Sequence, residues 1–509
     1  MQFCTQCGQK IEEGGECPNC SHENSGPVSK NQRKGMNKIV IGAITLVMLV
    51  VGGFIFIYQS PDKKANELFV EAAALVQSVQ EVQEESYLDA YNSGKAAIAA
   101  LDTILSKYPE TDLAVDISRG EAKIGPYSSS ELKEIVSELS PKAEAERSPL
   151  AAAYYIASNS ENYSYDKYIE LVTIAQRYAK IGDYDTVEGI LAEIQEMSRY
   201  VEDEMDRSEI LTETAICYAY AKQFEKALQV VETIGDEEYP IFTIIAWGFI
   251  ATELAENGHQ DQAAEVLSKT FGLYSGNDDR FLKAWASGVM AGGYAKTGHK
   301  NKALEMLSES VYTIKNSNID SAAFRLVAYG YSQIGEYEKA LEVITALEPQ
   351  SKQWPLSIVI RELEKNDQDR VSELLPQVLS SADTISDVSE RLITKAEIAG
   401  SYAKFGKKDK AMEILTNSLD ELMEDQYTTD KELPLAVIAG SYAEAEEKDK
   451  ALEIAYLALQ EIQKITDDIS QARGLSKLGY EMAERDLQTN EEMQVLLHSI
   501  INALVLDAA

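Results

Sequence analysis

One short pattern recurs beyond residue 170, and it constrains the fold more than any other feature of the chain. A small residue is followed three positions later by an aromatic or aliphatic anchor, and an alanine lies nine positions after the anchor in most copies. The copy with Ala291, Tyr294 and Ala303 is among the clearest, and Gly298 lies between its anchor and its alanine. Self-similarity at a period of about 20–50 residues indicates an array of stacked units, because one unit alone cannot bury its apolar face.

Nine copies of the pattern follow one another along the chain. Their anchors lie at positions 178, 218, 254, 294, 331, 363, 402, 442 and 482, with spacings between 32 and 40 residues. Each unit is predicted to be a helix, a turn and a second helix. The small residue lets the two helices approach, the anchor fills the seam, glycine supplies the turn, and a Lys-Ala-Leu run begins the second amphipathic helix.

The arrangement resembles the tetratricopeptide repeat over roughly residues 165 to 500. Two further copies match the family's order of residues: Ala328, Tyr331, Gly335 and Ala340, and Ala399, Tyr402, Gly406 and Ala411. The spacing is mostly longer than the family's period of about 34 residues, and the usual closing proline is missing. The resemblance implies an all-α, right-handed solenoid of about nine to eleven helix pairs at residues 165–505. The first helix of each pair would line a concave surface.

Residues 62–160 have a helical pattern that is less regular. Apolar residues at helical spacing within 91–105, closed by Tyr108 and Pro109, predict a repeat-like helix with a clear stop. Residues 125–130 interrupt the pattern, and another helix is predicted to begin near Glu131. We interpret this stretch as an N-terminal part of the solenoid.

A run of twenty uncharged residues at 39–58 predicts a transmembrane helix. Twenty residues make a helix of about 30 Å, the thickness of the bilayer hydrocarbon. A cleaved signal peptide fits poorly, because no small-x-small site follows the run. The basic linker 25–38 carries Lys30, Arg33, Lys34 and Lys38, whereas only Lys63 and Lys64 follow the span closely. The positive-inside rule therefore predicts a single-pass membrane protein with a cytoplasmic N-terminus and extracytoplasmic repeats.

Residues 1–24 predict a zinc ribbon. Cys4 and Cys7 form one CxxC pair, Cys17 and Cys20 form a second, and nine residues separate the two pairs. Four thiolates at this spacing are typical of a closed tetrahedral site for structural Zn²⁺, and ligation would supply most of the folding energy of so short a module. The stretch looks like the zinc ribbon at the N-terminus of many prokaryotic membrane proteins. The alternatives are a disulfide pair or a redox CxxC, although the larger domain that a redox site needs is absent. His22 is interpreted as a bystander.

Charge separates the two sides of the predicted span. The whole chain carries −37 and the first 38 residues carry +1, so the part after the uncharged span carries −38. Nucleic acid is therefore not expected to bind the repeats, and the ribbon itself has few basic residues to neutralise phosphate. The acidity indicates either simple solubility or a negatively charged surface for basic partners.

Residues with catalytic or ligand-binding chemistry are sparse. His259 and His299 fall in equivalent repeat turns and are predicted to be exposed, and Cys217 is predicted to be a buried small residue. Trp247, Trp285 and Trp354 are interpreted as core. No nucleotide-binding, hydrolase or metalloprotease motif is present, so we expect no enzyme and no cofactor other than structural Zn²⁺.

Three charged residues are candidates for the concave surface. Arg177, Glu253 and Glu481 each lie one residue before an anchor, where other copies have glycine or serine. They are predicted to be exposed on the first helices, so charge reversal is expected to leave stability unchanged. The leading hypothesis is a membrane-anchored scaffold for protein–protein interaction, with envelope or membrane proteins as partners and one span in the bilayer. The alternative is a membrane-bound regulator whose zinc ribbon contacts DNA or the transcription apparatus.

Overall fold

The computed structural model describes residues 2–3, 10–11, 60–161, 164–234, 239–276, 279–316 and 323–507. Two short strands, β1 (Gln2–Phe3) and β2 (Lys10–Ile11), pair antiparallel, with Gln2 opposite Ile11. The predicted membrane span at 39–58 and the four cysteines of the predicted zinc ribbon lie outside the described residues. Among the helices that are described, none is both long and apolar enough to cross a membrane.

Helices make up nearly all of the described chain after residue 60, and the first five precede the regular repeats. Ser, Thr or Asp side chains accept backbone N–H bonds at the start of many helices, as N-caps do. Ser128 and Glu131 form a capping box at the start of the fourth helix, close to the start predicted from the sequence. These five are α1 (Pro61–Val82), α2 (Tyr87–Lys107), α3 (Asp112–Arg119), α4 (Ser129–Arg147) and α5 (Pro149–Asn159).

Nine helix pairs follow and confirm the predicted helix-turn-helix units. The first helices of the pairs are α6 (Tyr165–Ile181), α8 (Glu204–Tyr220), α10 (Pro240–Glu256), α12 (Arg280–Lys296), α14 (Ala323–Gln333), α16 (Gln353–Asn366), α18 (Val388–Lys404), α20 (Glu432–Glu444) and α22 (Asp468–Glu484). The second helices are α7 (Tyr184–Ser198), α9 (Phe224–Val231), α11 (Gln260–Gly276), α13 (Lys300–Asn316), α15 (Tyr337–Thr345), α17 (Gln368–Ala382), α19 (Lys408–Glu424), α21 (Lys448–Ile462) and α23 (Glu491–Asp507). A 3₁₀ turn (Pro349–Ser351) precedes α16.

The anchors lie where the sequence pattern predicts them. All nine are buried near the C-terminal end of a first helix, as Tyr218, Leu363 and Tyr442 illustrate. Small residues three positions earlier, such as Ala291 and Ala399, are fully buried too. The repeats share one continuous apolar core, whereas much of α1–α4 packs around a smaller core of its own.

Eight of the nine turns between the two helices of a pair contain a left-handed residue, and glycine supplies it in five of them. The exception is the turn between α16 and α17, where Asp367 has a φ of −148°. Gly298 and Gly406, for example, have φ values of 85° and 72°. In three copies without glycine the equivalent residue adopts the same conformation: Lys222 (φ 61°), Glu446 (φ 62°) and Asp486 (φ 52°). The turn geometry is therefore kept even where the residue type disfavours it.

The array closes on itself. Each first helix packs against the first helix of the next pair, from α6 to α22, and α22 in turn packs against α6. The nine first helices therefore form a closed ring. The helix α5 lies against α22 at the point of closure, and α23 packs against α4 and α5.

Hydrogen bonds between residues that are distant in the sequence stabilise the closed ring. The Tyr87 hydroxyl donates to Asn502 Oδ1 at 2.9 Å, and Thr489 Oγ1 donates to the Arg147 carbonyl at 2.8 Å. At the centre of the contact a Cβ built on Gly479 would lie 2.2 Å from the backbone nitrogen of Leu150. Only glycine permits this approach between α22 and α5.

Candidate interaction surfaces

The inner side of the ring is lined by the first helices, as the resemblance implied. Charged side chains from different pairs meet there and form ion pairs with one another. One group lies at the closure itself. Ser476 Oγ donates to Glu170 Oε1 at 2.6 Å, and Arg473 Nε and Arg177 Nη1 approach the Glu170 carboxylate at 3.5 and 3.7 Å. Burial raises the pKa of Glu170, although the two arginines and Ser476 oppose the shift.

A second group surrounds Glu481 on α22. Lys477 Nζ lies 2.8 Å from its Oε1 and Arg485 Nη1 lies 2.8 Å from its Oε2, while Arg485 also approaches Glu444 of α20 at 3.7 Å. Burial alone would raise the pKa of Glu481, but the charges of Lys477 and Arg485 outweigh it and hold the pKa below its ordinary value. This carboxylate is therefore held ionised.

A third group joins helices that are not neighbours in the ring. Lys365 of α16 places its Nζ 2.5 Å from Glu256 Oε2 of α10, and Lys296 of α12 pairs with the same carboxylate. Burial raises the pKa of nearby Glu253, with Lys365 and Lys296 acting in the opposite direction. The interior is narrow enough for side chains to reach across it.

The charges around Lys180 of α6 also show that side chains meet across the interior of the ring. Desolvation inside the ring, together with the charges of Arg361 and Lys477, lowers its pKa to about 8. Arg361 lies on α16, several pairs away from α6, so its charge acts on Lys180 across the interior of the ring. Lys180 Nζ also lies over the ring of Tyr480, 5.6 Å from its centroid.

Aromatic side chains line another part of the interior. Tyr329 of α14 packs against Phe249 of α10 and stacks on Trp354 of α16, with ring centroids 5.1 and 5.9 Å apart. Arg325 lies over Trp354 at 5.5 Å. Trp354, half-buried, thus packs within the ring, and Trp247 and Trp285 pack against the apolar core as expected.

The predicted exposure of Arg177, Glu253 and Glu481 is wrong. Glu481 is only 4% exposed, and the Arg177 side chain is only 15% exposed. Glu253 is half-buried among charged residues of α12 and α16. The prediction assumed a concave face in contact with solvent. In a closed ring, the position before the anchor faces other first helices, so charge there is paired internally.

Other predictions about single residues are confirmed. Cys217 is buried, and burial raises the pKa of its thiol, so it is a poor nucleophile. His259 and His299 are exposed in their turns.

His498 is buried at the closure, where its Nε2 lies 3.0 Å from the Glu84 carbonyl oxygen. Within the described residues, no three His, Cys, Asp or Glu side chains are grouped so that they could hold a metal ion.

A cleft of about 300 Å³ lies between the first and second repeats, at the loop that joins α7 to α8. We name it the Tyr200 cleft, and it is lined by Tyr165, Tyr168, Tyr200, Val201, Glu202, Asp203 and Asp206. Tyr200 is 76% exposed, which is unusual for so large a ring. The sequence analysis missed this cleft. The only signal in the sequence was an aromatic residue two positions before three consecutive acidic residues, Tyr200-Val-Glu-Asp-Glu.

No family model and no curated protein matches the chain. Among solved structures, it is similar to Ton1535 from Thermococcus onnurineus NA1, with 15% identity, 58% of this chain and 96% of the other covered, and a TM-score of 0.23. It is also similar to human IFIT1, described as a dimer with PPP-AAAA, with 14% identity, coverage of 71% and 94%, and a TM-score of 0.28. The TPR domain of P58(IPK) is 14% identical, with coverage of 81% and 98% and a TM-score of 0.16. These TM-scores are too low for the likenesses to bear on function, and the description of the repeats rests on the helix pairs themselves.

Proposed function

We propose that this chain is a membrane-anchored scaffold for protein–protein interaction. Its helical-repeat ring would lie outside the cytoplasm, a single helix at 39–58 would span the membrane, and a cytoplasmic ribbon would bind one structural Zn²⁺. In this proposal the protein is not an enzyme. Other membrane or envelope proteins are the proposed partners, because a tether confines the ring to the zone beside the bilayer and raises its effective concentration there.

The observation that carries the proposal is the closed ring with internally paired charges. Such a ring holds nine helix pairs in fixed relative positions, so its outward loops form a rigid arrangement. Those loops and helix ends carry large exposed side chains, including Tyr200, Tyr312, Met423 and Tyr427. Preorganised exposed aromatic residues are the side chains that most often anchor protein interfaces.

The ribbon part of the proposal is supported by the pairing of β1 with β2. These strands flank Cys4 and Cys7 in the sequence. In the proposed ribbon the four cysteines Cys4, Cys7, Cys17 and Cys20 would form the tetrahedral set. Purified protein is expected to contain one zinc per chain, and the double substitution C4S/C17S is expected to abolish it.

Cross-linking in cells tests the scaffold. A photoreactive amino acid placed at Tyr312 or Tyr427 is expected to yield discrete protein adducts, whereas the same residue at the buried Tyr329 is expected to yield none. The same absence of adducts at all three positions would contradict the proposal. Recovery of DNA or RNA polymerase through residues 1–38 would instead favour the regulator.

Orientation is tested with a membrane-impermeant thiol reagent on intact cells. Cys217 does not interfere, because it is buried. Tyr427, at 93% exposure, is a suitable position for an engineered cysteine. We expect Tyr427→Cys to be labelled and the ribbon cysteines to remain unlabelled. The reverse result would contradict the proposed topology.

A further inference from the structure

The Tyr200 cleft combines two features that together favour a cation. Tyr165, Tyr168 and Tyr200 contribute to its lining, and the acidic residues Glu202, Asp203 and Asp206 lie beside them. The faces of tyrosine rings attract cations through their quadrupole, and carboxylates attract them directly. The cleft volume is at the lower end of the range for binding pockets, about 300–1,000 Å³. It therefore fits one long side chain and excludes a helix.

The cations nearest in sequence are already paired with other residues. Arg199 Nη1 lies 2.6 Å from Glu196, and Arg207 Nη2 lies 3.7 Å from Glu204. Across the part of the chain that the structure describes, no ion pair joins a lysine or arginine to Glu202, Asp203 or Asp206. The negative charge of the cleft is thus left for a group from outside.

The surrounding field is negative as well. Burial raises the pKa of Tyr165, and the hydrogen bond to Glu209 and the charges of Glu209 and Asp206 add to the shift. Asp203 has a structural task in addition, because its Oδ1 accepts the backbone N–H groups of Met205 and Asp206 at 2.9 and 3.0 Å. The cleft is therefore fixed to the start of α8 rather than formed by a free loop.

We propose that the Tyr200 cleft binds a lysine or arginine side chain on an extended segment of a partner protein. The inference rests on the proposed scaffold function and adds the chemistry of the partner. Charge complementarity selects this occupant: the repeat region carries most of the chain's negative charge, and the cleft presents three carboxylates beside exposed aromatic surface. A metal ion would use the carboxylates but not the tyrosine rings, so it fits the lining less well.

Fluorescence anisotropy with the full chain, purified in a mild detergent, tests the inference. The probe is a fluorescein-labelled peptide of alternating serine and arginine, and the comparison peptide has glutamine in place of arginine. The cleft variant is Y200A/E202Q/D206N, which leaves the N-cap Asp203 intact. We expect this variant to bind the arginine peptide about tenfold more weakly than the wild type, equivalent to ~1.4 kcal/mol. We expect the glutamine peptide to bind neither protein.

An acidic protein also attracts basic peptides without specificity, so a matched control is essential. The variant E424Q/Y427A/D430N removes the same side-chain types from the exposed end of α19 and the loop that follows it. We expect this control to weaken binding by less than about twofold, since a lost exposed ion pair costs little. Equal weakening by both variants, or no weakening by the cleft variant, would overturn the inference. Displacement of the peptide by millimolar Ca²⁺ at constant ionic strength would also overturn it and indicate a metal site.

The inference and the proposed function can fail separately. If cells yield cross-linked partners at Tyr312 and Tyr427 and the cleft variant binds the arginine peptide normally, the scaffold stands and the cleft assignment is wrong. If the cleft variant loses the peptide but no position yields a partner in cells, the cleft assignment stands and the scaffold function is wrong. Melting temperatures of both variants, measured in parallel, identify any loss that comes from unfolding.

Discussion

Lys180 carries a charge that the interior of the ring disfavours. Its pKa is lowered to about 8 by burial and by Arg361, Lys477 and Arg177, whereas Glu484 raises it only in part. In the unfolded chain the same amine titrates near its ordinary value of about 10.4. Below pH 8 the group is charged in both states, and its full cost to folding is present. Above about pH 10.4 it is neutral in both states and the cost is gone.

The substitution Lys180→Met is therefore expected to raise the melting temperature at pH 7. The full shift would correspond to ~3 kcal/mol, but the Lys180 side chain is exposed and water screens its charge, so we expect a gain of at most about 1 kcal/mol. The advantage over the wild type should shrink as the pH rises from 8 to about 10.4. Thermal unfolding at several pH values measures it. Lys410→Met is the control, because it removes an amine from an exposed ion pair with Glu413 on α19.

The left-handed turn residues show what local sequence can and cannot predict. Glycine four residues after the anchor predicted the turn in five pairs, and the φ values confirm it. Lys222, Glu446 and Asp486 adopt the same conformation without any signal of their own. The packing of the two helices that they join imposes this left-handed conformation, which costs a non-glycine residue about 1–2 kcal/mol of conformational energy.

Replacing such a residue with glycine should stabilise the protein. We expect Lys222→Gly and Glu446→Gly each to add about 0.5–1 kcal/mol to the free energy of unfolding, since the relief of strain exceeds the extra entropy of the unfolded chain. The opposite change, Gly298→Ala at φ 85°, should lose about 1 kcal/mol. Urea unfolding monitored by circular dichroism measures all three. Loss of stability in both glycine variants would show that the turns are not strained.

At the scale of the elements, closure depends on how closely α22 approaches α5. In the repeat pattern Gly479 is the small residue three positions before the anchor Met482. That position predicts close packing of the two helices within its own repeat. The structure gives it a contact with Leu150, more than three hundred residues away. A repeat pattern contains no information on such a contact, because it describes each unit only relative to its neighbours. The error at Glu481 has the same origin, because its exposure was predicted from its own helix without the first helices that pack beside it.

Gly479→Ala is expected to destabilise the protein by about 1–3 kcal/mol, because the new methyl group would overlap the backbone of Leu150. Gly272→Ala on α11 is the matched control, since a Cβ at Gly272 meets no atom within 4 Å. Alanine favours a helix over glycine, so this control should gain about 0.5–1 kcal/mol. Chemical denaturation measures whether the free energy of unfolding falls for Gly479→Ala and rises for Gly272→Ala. A gain in both variants would contradict the close packing of α22 on α5.

At the scale of the whole molecule, closure changes how stability is distributed. In an open repeat array each unit contacts only its neighbours, so damage stays local. Here Glu170 of α6 is bonded to Arg473 and Ser476 of α22, the first and last pairs of the ring. The two ends of the array therefore share one buried polar network.

We expect Glu170→Ala to destabilise both ends together, because it leaves the largely buried Arg177 without its carboxylate partner at a cost of about 3 kcal/mol. Hydrogen exchange followed by mass spectrometry should show faster exchange in α5, α6 and α22, with the smallest change in α12 and α14 on the far side. Glu188→Ala, which removes only an exposed ion pair with Lys226, is the control. Faster exchange confined to α6 and its sequence neighbours would indicate an open array.

Closure also limits how such a gene can change. An open solenoid gains or loses a unit by duplication or deletion, because every new unit finds the same neighbours and only the ends move apart. In a ring of nine first helices, one unit more or fewer changes the angle at every junction, and α22 would no longer meet α5 and α6. The geometry of the ring therefore fixes the number of repeats, whereas the loops between the pairs, including the one that contains Tyr200, can change in sequence.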